Sequence, residues 1–188
     1  MSPINKRRLE LFKGNRRGYY SFWIFLTLFV LSLFAEFIAN DKPIVFSHYD
    51  ELHFPMFFMY TETELGGVLE TEAEYRDPYV EQLIDSNGWT IWPPVRFTYN
   101  TIDYSYQVTP SAPDNTHFLG TDEGGTDVFA KLLYGFRLSV LFGITLTVIS
   151  AGIGVLVGAL QGYFGGLVDL IGQRIVEIQA GLPILFVL

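Results

Sequence analysis

The chain has 188 residues, 49% of them hydrophobic, with 20 acidic residues, 12 lysines and arginines, and a formal net charge of -8. Nucleic-acid binding is disfavoured, because the basic residues concentrate before residue 18 and the remainder is acidic. The absence of cysteine excludes disulfides, thiolate nucleophiles and cysteine-ligated metal sites within these residues.

The first segment, residues 1–18, carries half of the lysines and arginines and directly precedes an uncharged run from Tyr19 to Ala35. Basic residues beside a membrane span are retained in the cytoplasm. The pattern therefore predicts a cytoplasmic N-terminus followed by a first transmembrane helix over residues 19–39. A cleaved signal peptide is the alternative. It is disfavoured because its apolar core is typically only about 7–15 residues long and because residues 36–39 form a poor cleavage site.

Residues 40–127 have a different composition and are predicted to form a small extracytoplasmic α+β insertion between the first two spans. Between Asn40 and Tyr134 there are 16 acidic residues and four basic ones. Trp89, Trp92 and many other aromatic residues favour a folded domain over a disordered linker. The expected elements are a hairpin of strands 43–49 and 52–58, a helix from Asp77-Pro78 to Asn87-Gly88, short strands over 89–92 and 95–99, and an irregular connection over 108–116.

A metal site is one interpretation of His48, Asp50, Glu51 and His53 near the hairpin turn. These side chains need not converge across a hairpin, so a solvent-exposed turn is the preferred interpretation. The many glutamates of the insertion are interpreted as a solubilising acidic surface rather than as acid–base pairs. No cofactor, metal or catalytic site is predicted.

The second apolar region begins with an amphipathic helix, predicted over residues 128–137, that leads into the membrane. Residues 138–160 carry no charge and are long enough to cross a bilayer, which takes about 20 residues, so a second transmembrane helix is predicted over residues 138–162. Small residues recur every four positions on two of its faces. Such faces favour close helix packing or line a path, although glycine is also common in membrane helices generally. The predicted packing or path-lining residues are Gly143, Thr147, Ser150, Gly154 and Gly158.

The last segment, residues 163–188, is predicted to be a cytoplasmic turn followed by the start of a third transmembrane helix. The apolar run continues to Leu188 without a polar flank, so the sequence is interpreted as an N-terminal fragment of a longer protein. The expected fold class is an all-α membrane protein, the start of a transmembrane helix bundle, with the α+β insertion between its first two spans.

The most specific motif lies just before the second span. HFLGTD, its continuation GTDV and the later LYGFRLS and GYFGG blocks resemble the motifs of permease subunits of bacterial ABC importers for dipeptides and oligopeptides. The N-terminal part is similar to the branch that serves microcin C and related peptides. Thr126 departs from the family pattern, which usually has arginine there. The matching residues are His117, Leu119, Gly120, Thr121, Asp122, Gly125, Asp127, Tyr134, Gly135, Arg137, Ser139, Gly162, Gly165, Gly166, Asp169 and Arg174.

The resemblance implies a transport subunit rather than an enzyme. It implies a multi-pass protein of the bacterial inner membrane that moves peptides, oligopeptides or microcin C-like compounds, together with a second permease subunit, ATPase subunits and an extracytoplasmic peptide-binding protein. The glycine-rich motif lacks the Gly-Lys-Ser/Thr ending of a phosphate-binding loop, so ATP hydrolysis is expected on the partner subunits. A membrane-anchored receptor or sensor with an extracytoplasmic ligand-binding domain is the alternative.

Overall fold

The computed structural model describes residues 3–49, 51–106 and 108–181. Its backbone divides into two compact units, Met1–Ser139 and Val140–Leu188. The first unit contains the insertion and the residues that hold the start of a long apolar helix. The second contains the rest of that helix and the helix that follows it.

The N-terminal region is helical and consists of α1 (Pro3–Gly14), α2 (Arg16–Leu33) and the short α3 (Ala35–Ile38). All of α1 is exposed, as suits a basic surface helix. Asn15 separates α1 from α2 and caps the second helix, because its side chain accepts a hydrogen bond from the Gly18 amide at 3.2 Å.

The sequence predicts one helix over residues 19–39, but the structure interrupts it at Phe34. The Phe34 amide donates to the Leu31 carbonyl at 3.0 Å, which closes α2 with a tighter turn. The Ser32 hydroxyl donates to the Phe29 carbonyl at 2.7 Å, a local bond that competes with the helical ladder. α2 is thus 18 residues long, and the first membrane span stays a prediction.

The insertion contains a three-stranded antiparallel sheet with the order β2-β1-β3. β1 (Val45–His48) lies between β2 (Glu51–His53) and β3 (Thr90–Ile91). Phe46 is opposite His53 on one side, and Val45 is opposite Ile91 on the other. The predicted hairpin and the strand within 89–92 are therefore confirmed.

The strands of this hairpin are shorter than the sequence predicts. β2 ends at His53 instead of residue 58, because the chain turns immediately afterwards. The amides of Phe57 and Phe58 both donate to the Phe54 carbonyl at 3.0 Å, and these bonds replace strand pairing. Asp50, at the hairpin turn, lies outside the described residues.

Helix α4 (Pro78–Asn87) confirms the helix predicted after Asp77-Pro78. The Asp77 carboxylate accepts a hydrogen bond from the Tyr79 amide at 2.8 Å, and Pro78 occupies the first position, where a missing amide costs little. Val80 and Ile84, one turn apart, face the sheet side. The core of the insertion consists of Phe46, Leu65, Ala73, Tyr75, Val80 and Ile84, with half-buried Trp92 against it.

Residues 95–99 do not form the predicted strand. The backbone of Val95 instead makes one isolated bridge with Ala39, just after α3. Ala39 does not belong to a strand, so the pairing does not extend further. Residues 108–116 contain neither helix nor strand, as the sequence predicts. A second core ties residues 95–97 to the start of the long helix; it consists of buried Ala39, Val95, Phe97 and Ala130, with Phe129, Leu133 and Tyr134 around them.

The long helix, α5 (Val128–Phe164), is continuous, so no break separates the predicted surface helix over 128–137 from the predicted span over 138–162. Its 37 residues extend about 56 Å at about 1.5 Å per residue. Of the helices in the described residues, α5 alone is long and apolar enough to cross a membrane. Its apolar side chains beyond Ser139 are largely exposed, as in a helix that requires lipid or protein neighbours.

Helix α6 (Gly166–Gly181) follows α5 after a sharp turn. Gly165 and Gly166 have φ angles of 55° and 51°, in the left-handed region that glycine adopts without strain. This turn lies where the sequence predicts one. The rest of the predicted third span, residues 182–188, lies outside the described residues.

Candidate functional site

The motif residues that precede α5 form a tight loop over residues 117–127, and the helix starts from it. At Gly120, φ is 75° and an added Cβ would lie 2.3 Å from the Ser111 carbonyl oxygen, so only glycine fits. The Thr121 hydroxyl accepts a hydrogen bond from the Ser111 amide at 2.9 Å. The Val128 amide donates to the Gly120 carbonyl at 3.1 Å, which joins the loop to the first residue of α5.

His117 lies at the centre of this loop with no solvent exposure. Its Nδ1 lies 2.7 Å from Asp127 Oδ2, and its Nε2 lies 3.2 Å from Asp103 Oδ2. The other oxygen of Asp127 accepts a hydrogen bond from the Ala130 amide at 2.7 Å, so Asp127 also caps α5. We call His117, Asp103 and Asp127 the buried triad. It fixes the start of α5 to two loops of the insertion.

Each ring nitrogen of His117 faces a carboxylate oxygen, so both edges of the buried imidazole have a polar partner. Burial alone would raise the pKa of Asp103, but hydrogen bonds from Ser105 and His117 outweigh it and leave that pKa below its ordinary value. Phe97, whose ring lies 4.3 Å from the His117 ring, screens the group from solvent.

Asp122 orders the other side of the loop. One carboxylate oxygen accepts hydrogen bonds from the amides of Gly124 and Thr126 at 2.9 and 3.0 Å, and the other pairs with Lys131. These contacts hold the pKa of Asp122 far below its usual range, and the hydrogen bond from Lys131 has the largest effect. Thr126 is buried, and its hydroxyl has no hydrogen-bond partner among the described residues. The position that departs from the family pattern thus faces the loop interior.

Three turns into α5, Arg137 holds the helix against α3. Its Nη1 lies 2.8 and 2.9 Å from the two carboxylate oxygens of Glu36, and its guanidinium lies 5.0 Å from the centre of the Tyr134 ring. The Tyr134 hydroxyl donates to the Ala39 carbonyl at 2.9 Å. Tyr134 and Arg137, both predicted motif residues, therefore fasten α5 to the end of the α2–α3 region.

Two partners of the motif were missed by sequence reasoning, Asp103 and Glu36. A signal existed for Glu36: it is the first acid after an uncharged run, as Arg137 is the last base before another. Two single charges at the ends of apolar runs are expected to pair, because each is costly near a membrane alone. Asp103 has no comparable signal, since it is one of 16 acids in its segment.

Other predicted motif and small residues lack such contacts within the described part of the chain. An added Cβ at several of the glycines meets no atom within 4 Å, and Thr147 bonds only to the Gly143 carbonyl of its own helix, at 2.7 Å. The packing or path-lining role predicted for Gly143, Thr147, Ser150, Gly154 and Gly158 therefore stays a prediction. The motif residues without such contacts are Leu119, Gly135, Ser139 and Gly162.

In the second unit, the motif residues contact only their own neighbourhood among the described residues. Gly165 and Gly166 make the turn before α6. Asp169 accepts a hydrogen bond from Gln173 at 3.3 Å, and Arg174 pairs with Glu177 at 2.6 Å, all on the surface of α6. The buried triad and the Arg137–Glu36 pair, in the first unit, are thus where motif residues converge.

A shallow cavity of about 500 Å³ opens on the insertion. Arg76 stacks on Phe97 at 4.2 Å and Arg96 on Trp92 at 4.8 Å along its wall. Each base is near an acid, since Arg96 pairs with Glu81 at 3.5 Å and Arg76 lowers the pKa of Asp103. The cavity is therefore nearly neutral overall, and it carries no catalytic arrangement.

The hairpin histidines are placed differently from the solvent-exposed turn that the sequence predicts. His48 is buried, and neither of its ring nitrogens has a hydrogen-bond partner among the described residues. His53 stacks on Phe46 with ring centroids 4.8 Å apart. Across residues 3–49, 51–106 and 108–181, no group of three or more histidines and acids is arranged to hold a metal ion.

Comparison with known proteins shows which proteins the chain is similar to. No protein-family model matches the chain. Over its whole length it is 49% identical, across 189 aligned residues, to the inner membrane ABC transporter permease protein YejE of Escherichia coli (strain K12). Over its whole length the chain is thus similar to ABC transporter permeases. It spans 55% of the length of that relative.

Two further relatives are also named as permease proteins of transport systems. The chain is 45% identical over 212 residues to the peptidoglycan transport system permease protein YejE of Agrobacterium fabrum, again over the whole chain and 55% of the relative. It is 37% identical over 90 residues to the oligopeptide transport system permease protein OppC of Haemophilus influenzae, which is 48% of the chain and 29% of the relative. The predicted family is confirmed, and the receptor or sensor alternative is not favoured.

Proposed function

We propose that this chain is part of a transmembrane permease that moves peptides across the bacterial inner membrane. The observation that carries the proposal is the match of the whole chain to inner-membrane and peptide-type ABC transporter permeases. The names of these relatives refer to peptidoglycan and oligopeptide transport, so the substrate class is peptides, including peptides released from the cell wall. Microcin C-like peptides fall in the same class.

The structure supports a transport role through the contrast along α5. Its first three turns are held by the buried triad and by the Arg137–Glu36 pair. From Leu138 to Val168 the chain carries no charge, and its glycine faces meet no neighbour among the described residues. A helix fixed at one end, with small residues along the rest, suits a bundle whose other helices pack closely against it.

The proposed topology places the basic residues 1–18 in the cytoplasm and a first span over residues 19–39. The insertion, residues 40–127, lies outside the cytoplasmic membrane, and residues 128–137 lead into a second span over 138–162. Residues 163–188 form a cytoplasmic turn and the start of a third span. The support for the orientation of the first span is the retention of basic flanking residues on the cytoplasmic side.

The proposed partners are a second permease subunit, two ATPase subunits and an extracytoplasmic peptide-binding protein. ATP-driven closure of the ATPases rocks the membrane helices between outward-open and inward-open arrangements. In this chain, the buried triad and Glu36 keep the outer end of α5 with the insertion during that movement. Gly143, Gly154 and Gly158 provide the face along which neighbouring helices approach or peptides pass.

Uptake of a radiolabelled peptide tests the proposal. Cells that lack the gene for the full-length permease are expected to lose ATP-dependent uptake of a cell-wall-derived tetrapeptide or of tri-alanine, and the wild-type gene restores it. A matched control is the exposed substitution Asp85→Ala, which leaves uptake unchanged because Asp85 lies on the surface of α4. Unchanged peptide uptake in the deletion strain contradicts the proposed function.

Cysteine labelling tests the topology separately. In a full-length permease without other cysteines, Val68→Cys in the insertion is expected to react with a membrane-impermeant maleimide in intact spheroplasts, since Val68 is 79% exposed. Leu11→Cys on α1 is expected to react only after lysis. The reverse pattern would overturn the orientation.

A further inference from the structure

The turn after β2 carries an apolar surface that the insertion does not bury. Residues 54–59, with the sequence FPMFFM, form what we call the apolar loop. Phe54, Phe57, Phe58 and Met59 are between 40% and 73% exposed. A patch of this kind on a charged domain marks contact with another apolar phase or partner.

The apolar loop is held in an ordered shape rather than left to collapse onto the core. The amides of Phe57 and Phe58 share the Phe54 carbonyl, each at 3.0 Å, and the Phe54 amide donates to the Tyr60 hydroxyl at 3.3 Å. The backbone bonds are therefore satisfied within the loop, and the aromatic side chains project outward. This arrangement fixes large apolar groups on the surface.

The apolar loop also continues the end of the first predicted span. The Phe57 ring lies 6.4 Å from the Phe37 ring of α3, and Phe37 lies 6.4 Å from Phe34 at the end of α2. Aromatic rings thus run from the end of the apolar helix onto the insertion. Aromatic side chains concentrate at the boundary between hydrocarbon and water.

Charge favours a lipid surface as the occupant. The insertion is strongly acidic, and most of its surface is repelled by anionic headgroups. Residues 54–59 contain no acidic or basic residue, so this loop is where the insertion can approach the bilayer without that repulsion.

We propose that the apolar loop enters the outer headgroup region of the membrane beside the first span and anchors the insertion there. The inference rests on the proposed function, because it requires α2 to cross the membrane with the insertion outside. The side chains of Phe57, Phe58 and Met59 occupy the boundary, and the acidic surface faces water. The loop and the α2–α3 end then form one interfacial belt.

Depth-dependent quenching tests this anchoring. The Phe58→Cys variant is prepared in the complete transporter free of other cysteines and is labelled with the environment-sensitive dye NBD. The labelled transporter is reconstituted in phosphatidylglycerol–phosphatidylethanolamine nanodiscs. We expect blue-shifted emission and quenching by lipids doxyl-labelled near the headgroup several-fold stronger than for the matched control Val68→Cys. Val68 is exposed on the same insertion but belongs to a different loop.

Two results overturn the proposal. Emission equal to that of Val68→Cys shows a loop in water. Blue-shifted emission that doxyl lipids do not quench shows a loop covered by another protein subunit. A second label at Met59→Cys guards against a local effect of replacing Phe58. Maleimide labelling of Val68→Cys in intact spheroplasts separates the cases: if it fails, the topology is wrong, and if it succeeds without lipid quenching, only the anchoring is wrong.

Discussion

The two ends of α5 obtain their stability in opposite ways. At its start, Asp127, Tyr134 and Arg137 each have a polar partner elsewhere in the first unit, and Ala130 is fully buried. Further along, in the second unit, Gly154 and Gly158 meet no neighbouring atom in the described residues. The polar motif therefore serves the fold of this part of the chain. A role of the small residues in packing against other helices stays a prediction.

The largest expected effect comes from removing Asp127. Asp127→Ala leaves His117 buried beside one carboxylate instead of two and removes the cap on the Ala130 amide. Leaving a buried polar group without its hydrogen-bond partner costs about 1–3 kcal/mol, and losing an N-cap adds about 1 kcal/mol. Hydrogen exchange of the amides in the first turns of α5, in the purified full-length transporter, measures this as a lower opening free energy. If Asp127→Ala matches the exposed control Asp85→Ala, the triad does not hold the helix.

A substitution in the unpartnered part of α5 sharpens the comparison. Gly154→Leu is expected to leave the insertion folded but to weaken assembly of the complete transporter, because overpacking a close helix contact costs about 1–3 kcal/mol. Val155→Leu, on an exposed neighbouring position, is the matched control. Co-purification of the second permease subunit with each variant is the measurement. Equal recovery for the two variants would show that Gly154 does not pack against another helix.

The Arg137–Glu36 pair is expected to contribute less than the buried triad. Both side chains are partly exposed, at 24% and 41%, so solvent screens the pair and a coupling energy of about 1 kcal/mol is expected. A double-mutant cycle of Glu36→Gln and Arg137→Gln, followed by hydrogen exchange in α5, isolates it. The double variant with reversed charges, Glu36→Arg with Arg137→Glu, is expected to recover part of the lost protection of the α5 amides. A coupling energy of zero between the two substitutions would show that the Arg137–Glu36 pair does not stabilise α5.

The smallest expected effect is a pH dependence from His48. Burial, and secondly the charge of His53, lower the pKa of His48 below 6.5 in the folded insertion. The unfolded chain therefore binds more protons between that lowered pKa and 6.5, so stability falls as pH drops through this interval and is unaffected well above it. Hydrogen exchange of β1 as pH falls is expected to show the loss, and His48→Phe is expected to flatten it. An unchanged slope in the variant would assign the pH dependence to other groups.

Local signals in the sequence predicted local structure well. Asp77 and Pro78 placed the start of α4 because a cap and a first-position proline act on adjacent residues. The uncharged run predicted the apolar stretch of α5, and the turn predicted at the start of residues 163–188 lies at Gly165 and Gly166. In each case the determining contacts lie within a few residues of one another.

The failures share a different cause, which is dependence on distant residues. Glu36 and Arg137 are 101 positions apart, so no local pattern places them together, although each stands at the end of an uncharged run. Val95 and Phe97 alternate like a strand, but their partner is the end of α3, which offers one bridge. His48 was expected in a solvated turn and is buried, because β3 and α4 cover β1, and neither is adjacent to it in the sequence.

The continuity of α5 has a consequence for how it sits in a bilayer. Residues 138–164 are uncharged and helical and extend about 40 Å, whereas the hydrocarbon layer is about 30 Å thick. In the proposed topology Arg137, which pairs with Glu36, lies at one boundary, and the surplus length is expected to be absorbed by an inclined helix or by a far end that protrudes. An inclined helix makes the space beside it wider on one side of the membrane than on the other.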